Sequence, residues 1–342
     1  MRDARLLVRL LADPSAAADV RDWTSLLAIA RAEALIGTLA KRLRWEALPE
    51  KVSQILELAR RDSDQARTHA LWEAEMARRA LAPLGAPVIL LKGSAYAAAG
   101  LLAGVGRSIG DLDILVPRDR LDDVQNALLE AGWEWVKEDD YDDLYYRRWM
   151  HELPPLIHKE RDRMIDVHHT ILPLTARPTP DSEALMDDSV ELASGLRILS
   201  PPDMVIHSAA HLFADGDLAG GLRNLWDIDQ LLRAFVIGDL DYWPKLYFRA
   251  ERHGLLPVVK RACRLANDLY GTPIPASWRV RNRADSLFRA RLLARNGWGQ
   301  ATRPALRFAF YMRSHWLRMP PAMLARHLWT KWRKKKQPVM PA

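Results

Sequence analysis

Two aspartates in a short apolar run, Gly110-Asp111-Leu112-Asp113-Ile114-Leu115-Val116, are the residues of this chain best arranged for chemistry. Side chains alternate along a β-strand, so a spacing of two puts both carboxylates on one face. Leu112, Ile114 and Val116 then turn to the opposite, core-facing side. Adjacent carboxylates repel, and an apolar strand offers them little water, so the pair calls for positive charge. A hard divalent cation is the usual compensation, which points to Mg²⁺ chemistry on phosphates.

A second group lies upstream. Val88-Ile89-Leu90-Leu91 reads as a buried strand, followed by Lys92-Gly93-Ser94 and then an Ala-rich helical stretch to about Leu102. Gly93 permits close backbone approach, Ser94 offers a hydroxyl, and the helix start offers free N–H groups. Lys92 adds a point charge. Together they form a phosphate cradle, or else an ordinary turn and cap. The Gly-x-x-x-x-Gly-Lys-Ser/Thr pattern is missing, so a P-loop is not supported. Later in the chain a lone acid, Asp166, stands between Ile165 and Val167 in another strand candidate, Met164 to His168.

The elements that must position these residues follow from periodicity. Residues 1–84 read as helical, with Val52 to Leu81 as one long amphipathic helix or two, and Pro83 as a stop. From 87 to 171 the pattern is α/β. Asp111 to Val116 is a strand, Arg118 to Ala131 a helix closed by Gly132, and Trp133 to Val136 a strand. Parts of Leu144 to Met150 also alternate like a strand. From Ser200 the chain is helical again, starting with an N-cap serine, first-turn prolines and Asp203. Further helices are expected near 220–236, 241–253, 256–270, 280–296 and 304–335, the last interrupted at Pro320-Pro321. The chain thus divides into an N-terminal helical region at 1–84, an α/β core at 85–198, a C-terminal helical domain at 199–300 and a basic tail at 301–342.

Gly93-Ser94 before a helix, an Asp-x-Asp strand one helix later and a third acid on a later strand together resemble the nucleotidyltransferase superfamily typified by DNA polymerase β. More narrowly, Leu90 to Ser94, Arg107 with Gly110 to Val116, and Ile165 to His168 are similar to a bacterial family of uncharacterised nucleotidyltransferases. The likeness extends to His207-x-x-x-His211 and to Leu222 to Ile228, and covers most of the chain to about residue 270. It implies an α+β fold: a small mixed-sheet core flanked by helical regions. It also implies a two-metal mechanism with two Mg²⁺ ions and an NTP, expected to be ATP. Asp111, Asp113 and Asp166 would be the metal ligands and catalytic acids. Gly93, Ser94, Lys92 and Arg107 would bind the nucleotide's phosphates. Transfer of a nucleoside monophosphate would go to a hydroxyl of an unidentified small molecule or protein. Each residue has a structural counterpart reading. Asp166 could pair with Arg161 or Arg163, and Arg107 and Lys92 could be ion-pair partners. The family places an aromatic residue after the Asp-Val-His segment; here it is His169, on the strand face opposite His168.

His207 and His211 share a helix face; with Asp227 or Asp229 they could bind a metal, or they simply pack. The resemblance also turns His151 toward the site. One cysteine, Cys263, excludes an intrachain disulfide, and no secretory or membrane-spanning segment is evident, so a cytoplasmic protein is expected. The net charge of +7 is uneven. From Arg279 onward there are 16 Lys or Arg and one acid, Asp285. Trp316, Trp329 and Trp332 fall within this basic segment, which suits RNA or an anionic membrane surface. Two other functions therefore stand beside the enzyme: a catalytically silent nucleotide-binding regulatory module, and a nucleic-acid or membrane-surface adaptor acting through the tail.

Overall fold

The computed structural model describes every residue except 1, 2, 45, 138, 139, 281, 320–328 and 330–342. Seven strands form one mixed sheet: β1 (Ile89–Leu90), β2 (Leu112–Leu115), β3 (Trp133–Trp135), β4 (Leu156–His158), β5 (Met164–His168), β6 (Val190–Glu191) and β7 (Arg197–Ile198). Their order is β3-β4-β5-β2-β1-β7-β6. Strand β2 is central: it runs antiparallel to β1 and parallel to β5. Its four residues are all buried, so the acidic face is covered as well as the apolar one. The architecture is α+β, with helices before, between and after the strands.

The long N-terminal stretch is a single helix, Glu50–Leu81, with Val52, Leu56, Ala59, Ala70, Ala74, Ala77 and Leu81 buried along one side. It ends where Pro83 removes a donor and Gly85 turns left-handed at φ 63°. The helix Ile36–Arg42 meets the loop ahead of β2 through two glycines. A Cβ on Gly37 would lie 2.5 Å from the Gly106 carbonyl oxygen, and one on Gly106 would lie 2.5 Å from that of Gly37. Only residues without side chains allow this contact, which fixes the approach to the acidic strand.

C-terminal helices Pro201–Ala210, Gly221–Gly238, Tyr242–Arg252 and Leu256–Tyr270 follow the expected periodicity. Ser200 caps the first of them, accepting from the Asp203 N–H. One apolar cluster runs from Ala4 to Phe310 and joins sheet and helices. The expected strand within Leu144 to Met150 is instead the end of a helix, Asp140–Trp149. Its aromatic spacing is helical: Tyr145 and Trp149, four apart, meet with ring centroids 5.6 Å apart. The helix expected at 280–296 is shorter, Asp285–Leu292. The last described helix, Pro304–Arg318, stops ahead of Pro320-Pro321, and nearly all of the tail beyond it lies outside the described residues.

Candidate active site: three carboxylates on adjacent strands

Strand register brings the acids together. Asp113 on β2 stands directly beside Asp166 on β5 in the parallel ladder. Asp111 precedes β2 by one residue and lies two before Asp113. One carboxylate oxygen from each lies within 4.8 Å of the others. Asp113 is buried, Asp166 half-buried and Asp111 exposed. The cluster is therefore closed at its base and open at Asp111.

The charges around the three acids are unequal. Lys92 Nζ lies 2.5 Å and His168 Nε2 3.0 Å from the same oxygen, Oδ1 of Asp113. The second oxygen of Asp113 takes neither bond. Burial pushes the Asp113 carboxyl up, but Lys92 and His168 outweigh it and hold the group below the ordinary carboxylate range. Burial likewise presses the Lys92 ammonium down, and Asp113 more than reverses that. Among the described residues, no hydrogen bond or ion pair holds Asp166 in this way. Arg161 bonds Glu73 and Arg163 meets His69, so neither takes up Asp166. Burial first, then the charges of Asp113 and Glu152, push Asp166 up to about 6.

The three acids thus form a carboxylate cluster compatible with a metal site. A family model described as "Uncharacterised nucleotidyltransferase" matches residues 19–271, well over half of the sequence. The chain belongs to that family. Among solved structures, the solution structure of the antibiotic-resistance factor ANT(2'')-Ia is similar over 58% of this chain and 96% of that chain. The identity is 14% and the TM-score 0.35, too distant for any residue to be carried across. Among curated proteins, none matches the sequence.

A nucleotidyltransferase of this kind implies a divalent metal, and the donor set fits one. Three hard oxygen donors converge, and Asp166, raised by burial first and then by the charges of Asp113 and Glu152, is a carboxylate that a cation would stabilise in its charged form. Both the Lys92 and the His168 bond fall on Oδ1 of Asp113, which leaves its Oδ2 clear of those two groups.

The nucleotide-binding candidates divide. Lys92 adopts φ 47°, a left-handed conformation rare for a residue with a side chain, and reaches Asp113 from that turn. Gly93 and the buried Ser94 form the first turn of the helix Lys92–Ala98. Gly93 is required by its neighbour: a Cβ there would lie 2.5 Å from Arg107 Nε. Arg107 makes the ion pair that its structural reading expects. Its guanidinium is buried against Asp227 and stacks on Tyr96 with 5.8 Å to the ring centroid. Asp227 also accepts from Arg223, which donates to Thr38 Oγ1 at 2.6 Å. This network clamps the loop ahead of β2 onto the helix Gly221–Gly238.

Sequence reasoning missed Glu152. An isolated bridge pairs it with His168, and its Oε2 lies 3.3 Å from His168 Nδ1. The imidazole therefore spans two carboxylates and orients Asp113. A glutamate in an irregular segment carries no periodic signal, so only the tertiary pairing reveals it. His151 does turn inward, its ring 5.2 Å from that of His168, and burial holds it well below the usual imidazole range. His169 lies away from the cluster, lowered to about 4 by burial and then by Arg118. His207 is buried and His211 half-buried, and after desolvation the Lys92 charge lowers them furthest, His211 to about 3. At neutral pH both are therefore uncharged imidazoles. The acids suggested as their co-ligands are engaged elsewhere: Asp227 with Arg107, and Asp229 with Arg233 and Thr272.

Proposed function

We propose that this chain transfers a nucleoside monophosphate from an NTP, ATP in the first instance, to a hydroxyl of a small-molecule or protein acceptor. The observation that carries the reading is the in-register Asp113–Asp166 pair with Asp111 beside it, one side of the pair compensated and the other not. Asp111, Asp113 and Asp166 would hold two Mg²⁺ ions. Bound there, these ions would neutralise phosphate charge and lower the pKa of the acceptor hydroxyl.

The chain's own groups have distinct tasks in this reading. Lys92 keeps Asp113 ionised, and His168, backed by Glu152, fixes its orientation. Gly93 and Ser94 offer the backbone and hydroxyl that grip the β- and γ-phosphates. Arg107 holds that turn in place through its contact with Gly93 rather than touching phosphate. His207 and His211, held neutral, add no charge of their own near the acids. An acceptor oxygen would form a bond to the α-phosphorus as the bond to the bridging oxygen breaks, and pyrophosphate would leave.

The test is an Asp111→Asn/Asp113→Asn double variant, examined by calorimetry with Mg²⁺ and ATP. The variant is expected to keep its circular dichroism spectrum and lose Mg²⁺-dependent nucleotide binding. Binding unchanged from the wild type would refute the assignment.

A further inference from the structure

We propose that the outer face of the helix Pro304–Arg318 docks the protein onto an anionic lipid bilayer. The helix is held mainly by one side, although Arg177 also lies over the Trp316 ring, 5.2 Å from its centroid. Phe310 meets Phe288 edge-on with centroids 4.9 Å apart, and Arg313 lies over the same ring and donates to the Phe213 carbonyl at 2.8 Å. Phe310 and Ser314 are its buried residues. At 3.6 residues per turn, Ala305, Phe308, Ala309, Met312 and Trp316 fall within about 100° on the opposite side. All five are exposed, Phe308 to 64%, Met312 to 45% and Trp316 to 50%. A surface helix ordinarily turns such a stripe to the core; this one turns it outward. Trp298, just ahead of the helix, is 78% exposed.

Charge selects the occupant. From Arg303 to the end the sequence has ten Lys or Arg and no Asp or Glu. RNA would answer the basic residues but leave Phe308 and Met312 without a partner. A second copy would set one cationic segment against another. A bilayer with acidic headgroups satisfies both features: apolar side chains enter the headgroup boundary while lysines and arginines meet phosphate. Tryptophan suits that boundary because its ring is apolar and its N–H is polar. None of the described helices is long and apolar enough to cross a membrane, so the helix would lie in the surface plane.

The experiment is co-sedimentation of the full chain with phosphatidylcholine vesicles, with and without phosphatidylglycerol. It compares the wild type with a Phe308→Ser/Met312→Ser/Trp316→Ser variant whose fold is checked by circular dichroism. The wild type is expected to bind only the anionic vesicles, more weakly as salt rises, and the variant to bind roughly tenfold more weakly or not at all. No salt-sensitive vesicle binding, or equal binding by the variant, overturns the proposal. So does a wild-type dimer that the substitutions dissociate, which would make the face a self-interface. Tighter binding to polyuridylate RNA than to vesicles, unchanged in the variant, would assign the basic residues to nucleic acid and overturn it too.

Discussion

Replacing Asp166 with asparagine should stabilise the metal-free protein and remove its response to Mg²⁺. In the folded chain burial and the charges of Asp113 and Glu152 raise this carboxyl from 3.8 to about 6. A rise of that size corresponds to about 3 kcal/mol between its charged and neutral forms. Because the folded value is the higher one, folding takes up a proton between these limits. The stability from the neutral form is fully present below the unfolded value and is lost as pH rises through 6. At pH 8 the wild type therefore bears nearly the whole cost. Asparagine keeps the shape without the charge, so the variant is expected to be about 1–3 kcal/mol more stable at pH 8 in EDTA. The gap should shrink by about 1–2 kcal/mol at pH 5, where the wild-type acid is largely protonated. Urea denaturation at the two pH values measures both numbers. Adding Mg²⁺ at pH 8 should raise the wild-type midpoint and leave the variant's nearly unmoved, since ligand binding to the folded state alone stabilises it. A variant less stable than the wild type at pH 8, or a gap that does not change with pH, would refute the view that Asp166 is an uncompensated charge.

Two further substitutions probe what holds the site. Gly93→Ala puts a Cβ 2.5 Å from Arg107 Nε, so it should lower the melting temperature by an amount equivalent to about 1–3 kcal/mol and weaken nucleotide binding, read by thermal denaturation and calorimetry. Asp227→Asn leaves Arg107 and Arg223 buried without their shared carboxylate, and should cost about 3–5 kcal/mol in urea denaturation, far more than an exposed ion pair such as Arg289–Asp268 would.

What was legible in the sequence and what was not divides along the range of the interactions. The alternation of Asp111 and Asp113 with Leu112 and Ile114 is local, so the acidic strand could be read directly. The long helix Glu50–Leu81 and the Ser200 cap are local too. Strand pairing is not. That Asp166 stands level with Asp113 rather than one residue off depends on a β2–β5 register across half a hundred residues, and a slip of one would send it to the other face. The misread strand near Leu144 has a similar origin: in a short aromatic segment the two periods overlap, and the Tyr145–Trp149 contact selects the helix.

Arg107 shows how this distance changes chemistry as well as geometry. A lone arginine just before an acidic strand invites a phosphate, because in sequence no carboxylate competes for it. In the fold Asp227, 120 residues on, competes and wins. Its partner Arg223 belongs to the same helix, so the two arginines and one carboxylate tie the loop ahead of β2 to that helix. Lys92 follows the opposite course. It too finds an acid partner, but that acid is Asp113, and the pairing compensates one carboxylate of the cluster while leaving Asp166 raised. The protein thus neutralises the fixed charges that hold its loop and leaves one charge in the acidic cluster uncompensated. That unequal treatment is compatible with the cation the proposed function requires, and differs from a salt-bridge network that is already complete.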